Sequence, residues 1–222
     1  MRPVTGPDGR PLRKDAEANR GRLLQAAAEL FAERGLQVTL NDIARHAGVG
    51  VGTAYRRFAN KEEVIDALFE QRLEQVAVIG EHALAEPDPW RGLVTYLEQI
   101  LRLQLNDRGL TGIINHPSLG QHRLAEASER IGPVLNQLVD RARQHGSLRD
   151  GLAGTDIVFL QLALDAIMDA TREVTPQLYR RYLAIFLDGI RAEAAGPGPL
   201  PLPAPTEEQT QKVLSPSRAH PR

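Results

Sequence analysis

The stretch from Thr39 to Lys61 limits what this chain can fold into more than any other. Thr39 suits a helix N-cap, and Asp42, three residues later, completes a capping-box pattern. Ile43, Ala44 and Ala47 give the short helix that follows a small apolar face. Gly48 lets the chain turn where a Cβ would be strained, and Val49 can fill the angle behind it. A second short helix then carries Thr53, Tyr55, Arg56 and Arg57, with Lys61 just beyond. This order, with the bases gathered on the second helix, reads as a helix-turn-helix whose second member fits a DNA major groove.

The charge distribution points the same way. Residues 1–61 hold 11 Lys and Arg against 6 Asp and Glu, whereas residues 62–222 hold 16 against 22. A basic N-terminal module on an acidic body fits nucleic-acid binding at one end only. At 42% hydrophobic residues, the 222-residue chain can bury a sizeable core in one or two domains. Without cysteine it has no disulfide and no thiolate metal site. Met1–Lys14 has no apolar core of a secretory kind, and no segment nears the roughly 20 apolar residues of a membrane span. The expected setting is cytoplasmic, with no membrane partner.

Further along, apolar residues recur at helical spacing and no useful strand-like alternation occurs. The expectation is an all-α chain. A disordered basic arm covers 1–14, a three-helix DNA-binding domain 15–60, a helical dimerisation domain 61–195, and a disordered Pro-rich tail 196–222. The first helix runs from about Asp15 to Arg34, with Leu23, Ala27, Leu30 and Phe31 as its inner stripe. Asn60 caps a long fourth helix, and Asp88-Pro89 starts a fifth. Asn106–Pro117 reads as a short irregular helix and loop. A helix from about Ser118 to His145 should kink or divide at Gly132-Pro133. The helix starting near Thr155 is apolar almost all round, so one side faces the core and another suits a second subunit. With the last helix, from about Pro176 to Ala194, it forms the expected dimer interface: Leu160, Leu164, Ile167, Tyr182 and Phe186.

The motif closely resembles the DNA-binding segment of TetR-family transcriptional regulators. Thr39, Ile43-Ala44, Ala47-Gly48-Val49, Gly52-Thr53, Tyr55, Phe58 and Lys61 all match its pattern, as does the first helix from Leu23 to Gly35. The resemblance implies that Gly50, Val51, Gly52 and Arg56 face base edges. It implies that Thr53, Tyr55, Arg57 and Lys61 grip phosphates and that Thr39 adds backbone N–H groups at a helix start. The chemistry agrees, since Arg56 can donate two hydrogen bonds to guanine, while hydroxyls and ammonium groups suit phosphate oxygens. Gly50 and Gly52 offer no side chain for readout, which shifts the burden to Arg56 and to DNA shape. Arg10, Arg13 and Lys14 could reach a neighbouring groove or backbone.

The resemblance also implies a homodimer on a near-palindromic double-stranded operator and a small-molecule effector that releases a repressor from DNA, which makes 61–195 a ligand-binding as well as a dimerisation domain. The expected pocket wall is Val76, Tyr96, Ile100, Ile113, Leu135 and Phe159. No metal site is expected, because the six histidines, at 46, 82, 116, 122, 145 and 220, show no ligand spacing. No cofactor is expected, since the glycine run at 48–52 lacks a preceding strand and the Gly-Lys-Ser/Thr ending of a phosphate loop. No catalytic residue is expected, because no nucleophile elbow occurs. The alternative is a helical small-molecule-binding protein or enzyme that keeps this fold without DNA function. The bases on the second helix argue against it.

Overall fold

The computed structural model of the chain describes residues 10–106, 120–193 and 200–214, with side chains for 15–105, 125–193 and 200–214. Among the described residues the fold is all-α, and the only extended pairing is an isolated antiparallel bridge between Leu148 and Arg191. The chain divides into two compact units, the first closing at Glu70 in its main segment.

The first unit holds α1 (Arg10–Arg34), a 3-10 turn (Gly35–Gln37), α2 (Leu40–His46) and α3 (Val51–Arg57), and receives the start of α4 (Lys61–Ala85). The expected inner stripe of α1 is in place, with Leu23, Ala27, Leu30 and Phe31 all buried. Two boundaries differ from expectation. α1 begins at Arg10 rather than Asp15, so residues 10–14 are helical. Pro11 does not prevent this, because N–H groups in a first helical turn have no intrahelical partner to lose. The unit also extends ten residues past the expected boundary at 60, since Val64, Ile65, Leu68 and Phe69 of α4 are buried within it.

The second unit contains the rest of α4, then α5 (Pro89–Asn106), α6 (Gly120–Gln144), α7 (Gly154–Ala170), α8 (Tyr179–Ile190) and α9 (Glu207–Leu214). Its core joins Leu93, Tyr96 and Leu97 of α5 to Leu138 and Val139 of α6, Ile157 and Leu164 of α7, and Leu183 of α8. Gly92 permits the α4–α5 approach, because a Cβ there would stand 2.5 Å from the Ala83 carbonyl oxygen. Arg141 of α6 donates to the Leu84 and Glu86 carbonyls and so satisfies the C-terminal end of α4. The end of α8 is held by paired backbone hydrogen bonds, Arg149 N–H to the Ile190 carbonyl at 3.0 Å and Ala192 N–H to the Ser147 carbonyl at 3.1 Å.

α6 runs through Pro133 as one element and is not divided. Proline removes a single helical hydrogen bond, and the buried Leu135, Leu138, Val139 and Ala142 hold the following turns in place. The tail differs too. Residues 200–214 are not disordered: they pack back on α6 and end in α9. Thr206 and Gln209 form a reciprocal cap, with Thr206 N–H donating to Gln209 Oε1 at 2.9 Å and Gln209 N–H to Thr206 Oγ1 at 3.1 Å. The Thr155 hydroxyl donates to the Pro205 carbonyl at 2.8 Å, and Thr210 is buried. The expected irregular stretch at 106–117 lies outside the described residues beyond the end of α5.

Candidate nucleic-acid interface

The geometry starts at Thr39. Its N–H donates to Asp42 Oδ2 at 3.0 Å, its hydroxyl donates to the same carboxylate, and its Oγ1 accepts from Asp42 N–H at 3.2 Å. The hydroxyl, and then the backbone N–H, of Thr39 hold the Asp42 carboxyl below its usual value. Thr39 is therefore a helix cap whose own donors are taken by a resident carboxylate. That limits the phosphate contact expected of it.

At the other end of α2 the chain closes in a Schellman turn. Gly48, at φ +62°, donates to the Arg45 carbonyl at 3.2 Å, and Val49 donates to the Ala44 carbonyl at 3.0 Å. Val49 is buried, as the sequence suggests. α3 then starts from Gly50, whose carbonyl accepts from Thr53 and Ala54 N–H at 2.8 and 3.0 Å.

Only Ala54 of α3 is buried. Phe58, just past its end, is buried too and anchors the helix. The rest of the surface is free. Gly50, Val51, Gly52, Arg56 and Arg57 are exposed, Thr53 is half-buried, and Tyr55 is 50% exposed. Nothing lies within 4 Å of where a Cβ would stand on Gly52. All the α3 residues expected at the interface, save half-buried Thr53, thus stand on open surface.

Several of them already have partners. Arg56 Nη2 donates to Thr53 Oγ1 at 3.1 Å. Arg57 Nη2 donates to Glu17 Oε2 of α1 at 3.3 Å. Lys61 Nζ donates to the Leu36 carbonyl at 2.7 Å and is half-buried, so it ties α4 to the 3-10 turn as well as offering charge. Sequence reasoning allows Arg57 a carboxylate partner but does not single out Glu17, 40 residues away. It also missed His46 Nε2 against Glu29 Oε2 at 2.8 Å, which links α2 to α1. That bond, followed by the one from Gln25, holds the Glu29 carboxyl below its usual value. The side chains of Arg10, Arg13 and Lys14 lie outside the described ones.

In the second unit, Val76, Tyr96, Ile100 and Leu135 come together in one core cluster, as the expected pocket wall requires. Phe159 is only half-buried and stands apart from that cluster, and Ile113 lies outside the described residues. Burial pushes the Tyr96 phenol well above its usual value, and the nearby Gln161 amide offsets part of the rise. The phenol is therefore neutral at any ordinary pH.

The expected dimer residues divide differently. Leu164 is fully buried in its own core, so it cannot form an interface. The helix turns it inward with Ile157 and Met168, seven and four residues away. Leu160, Ile167 and Phe186 are half-buried against the core, while Tyr182 is 38% exposed. The outward face of α7 instead carries Leu162, 44% exposed, with Ala163 and Ala166. That of α8 carries Tyr182 with Ile185, which is 51% exposed.

Among the described residues, no group of three His, Cys, Asp or Glu side chains is placed to hold a metal ion. No described helix is long and apolar enough to cross a membrane. His116 and His122 fall outside the described side chains.

Comparison with known proteins agrees with this arrangement. Residues 23–68 match the family model for bacterial regulatory proteins of the tetR family. Residues 88–192 match the model for the C-terminal domain of SbtR-like transcriptional regulators. The HTH-type transcriptional repressor KstR2 of Mycobacterium tuberculosis is 48% identical over 58 residues, or 26% of this chain and 29% of that protein. An HTH-type transcriptional regulator of Staphylococcus aureus is 38% identical over 64 residues, or 28% of this chain and 35% of that protein. The chain thus spans about a third of the curated relatives it matches. Solved structures extend the likeness. A TetR regulatory protein from Mycobacterium vanbaalenii superposes at TM-score 0.61 with 28% identity, covering 82% of this chain and 99% of that one. A TetR regulator from Streptomyces coelicolor does so at 0.60 with 27% identity, over 78% and 98%. Models of regulators cover both halves of the chain, one of them the family's own DNA-binding segment, and the two superposed structures are of TetR regulators: the chain belongs to the TetR family of bacterial transcriptional regulators.

Proposed function

We propose that the chain is a sequence-specific DNA-binding repressor that acts as a homodimer and is released from its operator by a small molecule. The observation that carries this reading is the surface of α3. Six of its seven residues are not buried, and they include Tyr55, Arg56 and Arg57 beside an uncluttered Gly52. A helix anchored only by Ala54, with Phe58 at its end, has its whole outer face free for a groove. Arg56 reads bases, and Tyr55, Arg57 and Lys61 hold phosphates. A dimer presents two such helices to a near-palindromic site, with half-site centres about 34–36 Å apart.

The effector reading rests on the second unit. Val76, Ile100 and Leu135 supply an apolar wall, and the buried Tyr96 hydroxyl and Gln161 amide supply polar atoms within it. Gln161 Nε2 is buried beside the Tyr96 phenol, which suits an apolar ligand carrying one or two neutral polar groups. α4 is one continuous helix from Lys61 to Ala85, with its first ten residues in the DNA-binding unit and the remainder in the other. A ligand needs only a differential affinity of about 1–3 kcal/mol for the DNA-incompetent form to act as an inducer.

The test is a mobility-shift assay of the protein on the DNA upstream of its own gene, with Arg56→Ala alongside. The reading expects a discrete, competitor-resistant complex with the unaltered protein, and loss of preference at one base position per half-site with the variant. If the protein gives no complex on any DNA at low salt, the reading is wrong.

A further inference from the structure

We propose that Glu17 is a positioning residue that restrains Arg57 and thereby limits sequence-independent grip on DNA; the inference rests on Arg57 being a phosphate contact. Glu17 lies on α1, six residues before the segment that matches the family's DNA-binding model, which begins at residue 23. Its carboxylate receives Arg57 Nη2 at 3.3 Å.

The pair is not needed to hold α1 and α3 together. Leu23, Leu30, Ala54 and Phe58 are buried between the elements of this unit, whereas the Glu17 side chain is 70% exposed and that of Arg57 39% exposed. An ion pair this open contributes little to folding. Its consequence lies in competition. A carboxylate and a phosphate offer the same kind of charged oxygen to a guanidinium, and the same N–H groups serve both. DNA must therefore exchange one acceptor for another to engage Arg57, and the displaced carboxylate is left facing a negatively charged backbone. The contact yields less net affinity than a free arginine would. Because phosphates carry no sequence, the restraint acts on all DNA alike.

The experiment measures binding of the full chain to a short duplex of random sequence over a range of salt concentrations. It compares the unaltered protein with Glu17→Gln, Glu17→Asp, Arg57→Ala and the Glu17→Gln/Arg57→Ala double variant. Glu17→Gln should bind about twofold to fivefold more tightly at low salt, the range expected when an exposed pair is released. Its log–log salt dependence should steepen by about 0.9, because one more charge displaces counterions. Glu17→Asp, which keeps the charge, should stay near the unaltered protein. In the Arg57→Ala background the gain should shrink to the smaller part that comes from removing a carboxylate beside the DNA backbone. Circular dichroism spectra and melting temperatures of all variants establish that each is folded. Unchanged or weaker binding by Glu17→Gln overturns the proposal, as does a gain that is undiminished without Arg57. Failure of the unaltered protein to bind any duplex would overturn the DNA-binding reading itself, a separate and recognisable outcome.

Discussion

At the scale of single residues, the interface is preset by short contacts that decide what each side chain can still do. Thr53 illustrates the point. Its hydroxyl accepts from Arg56, so it can fix the direction of the guanidinium we propose reads a base, rather than grip a phosphate on its own account. The two roles separate in one measurement. Thr53→Val, which keeps the shape and removes the acceptor, should relax preference at the single base position read by Arg56. Thr53→Ser should retain that preference. Uniform weakening on every sequence would return Thr53 to a phosphate role. Acid sensitivity is also set at this scale. Asp42 and Glu29 are both held below their ordinary values of 3.8 and 4.5. A carboxyl lowered in the folded state contributes stability that is complete above its unfolded value and is lost as pH falls through its folded one. The melting temperature should therefore hold from neutral pH down to about 4.5 and fall below it, with a shallower fall in Asp42→Asn and Glu29→Gln. A fall beginning near neutrality would point to other groups. Neither carboxyl is shielded from solvent, so high salt should reduce the effect.

At the scale of elements, α3 is built to be bare, at some cost to its own stability. Gly52 sits inside a seven-residue helix in open space. Gly52→Ala should therefore stabilise the protein by about 0.4–1 kcal/mol, because the methyl meets no obstacle and the unfolded chain loses freedom. The same methyl should weaken DNA binding, since it stands on the surface we propose faces the groove. A stabilised variant with unchanged affinity would remove Gly52 from the interface. Gly48→Ala should do the reverse and cost about 1–2 kcal/mol through its positive φ. The turn and both flanking helices were legible in the sequence because capping, glycine and spacing signals are local. The Glu17–Arg57 and Glu29–His46 contacts were not, because they join residues distant in sequence and no pattern marks them. α9 was legible in principle: Thr206-Glu207-Glu208-Gln209 carries the capping-box spacing with acids in the first turn. The Pro-rich run before it hid that signal, since composition speaks for a whole segment while a cap speaks for four residues. Pro133 signalled a kink or a division, and the division is overruled by the packing of the turns that follow it.

At the scale of the whole molecule, the expected dimer face follows from a helix that is apolar nearly all round, and the structure decides which side is which. Periodicity alone could not, because α7 offers an apolar residue in almost every direction. Core packing takes the side of Ile157, Leu164 and Met168. Leu162, Ala163 and Ala166 are left outward on α7, and Tyr182 and Ile185 on α8, with Gly189 further along the same side in open space. Two copies meeting through this face would bury large apolar side chains that one copy leaves in water, at roughly 25 cal/mol per Å² of apolar surface covered. The small residues would let the helices approach closely. The prediction is a split between two kinds of substitution. Ile185→Glu and Leu162→Glu should shift the protein from dimer to monomer in sedimentation at micromolar concentration, with melting of the DNA-binding unit unaffected and the palindromic complex lost. Leu164→Ala should instead destabilise the second unit by about 2–5 kcal/mol, because it opens a cavity in a filled core. Its folded fraction should remain dimeric. If the unaltered protein sediments as a monomer, or if Ile185→Glu and Leu162→Glu leave a dimer intact, the pairing surface lies elsewhere on the molecule.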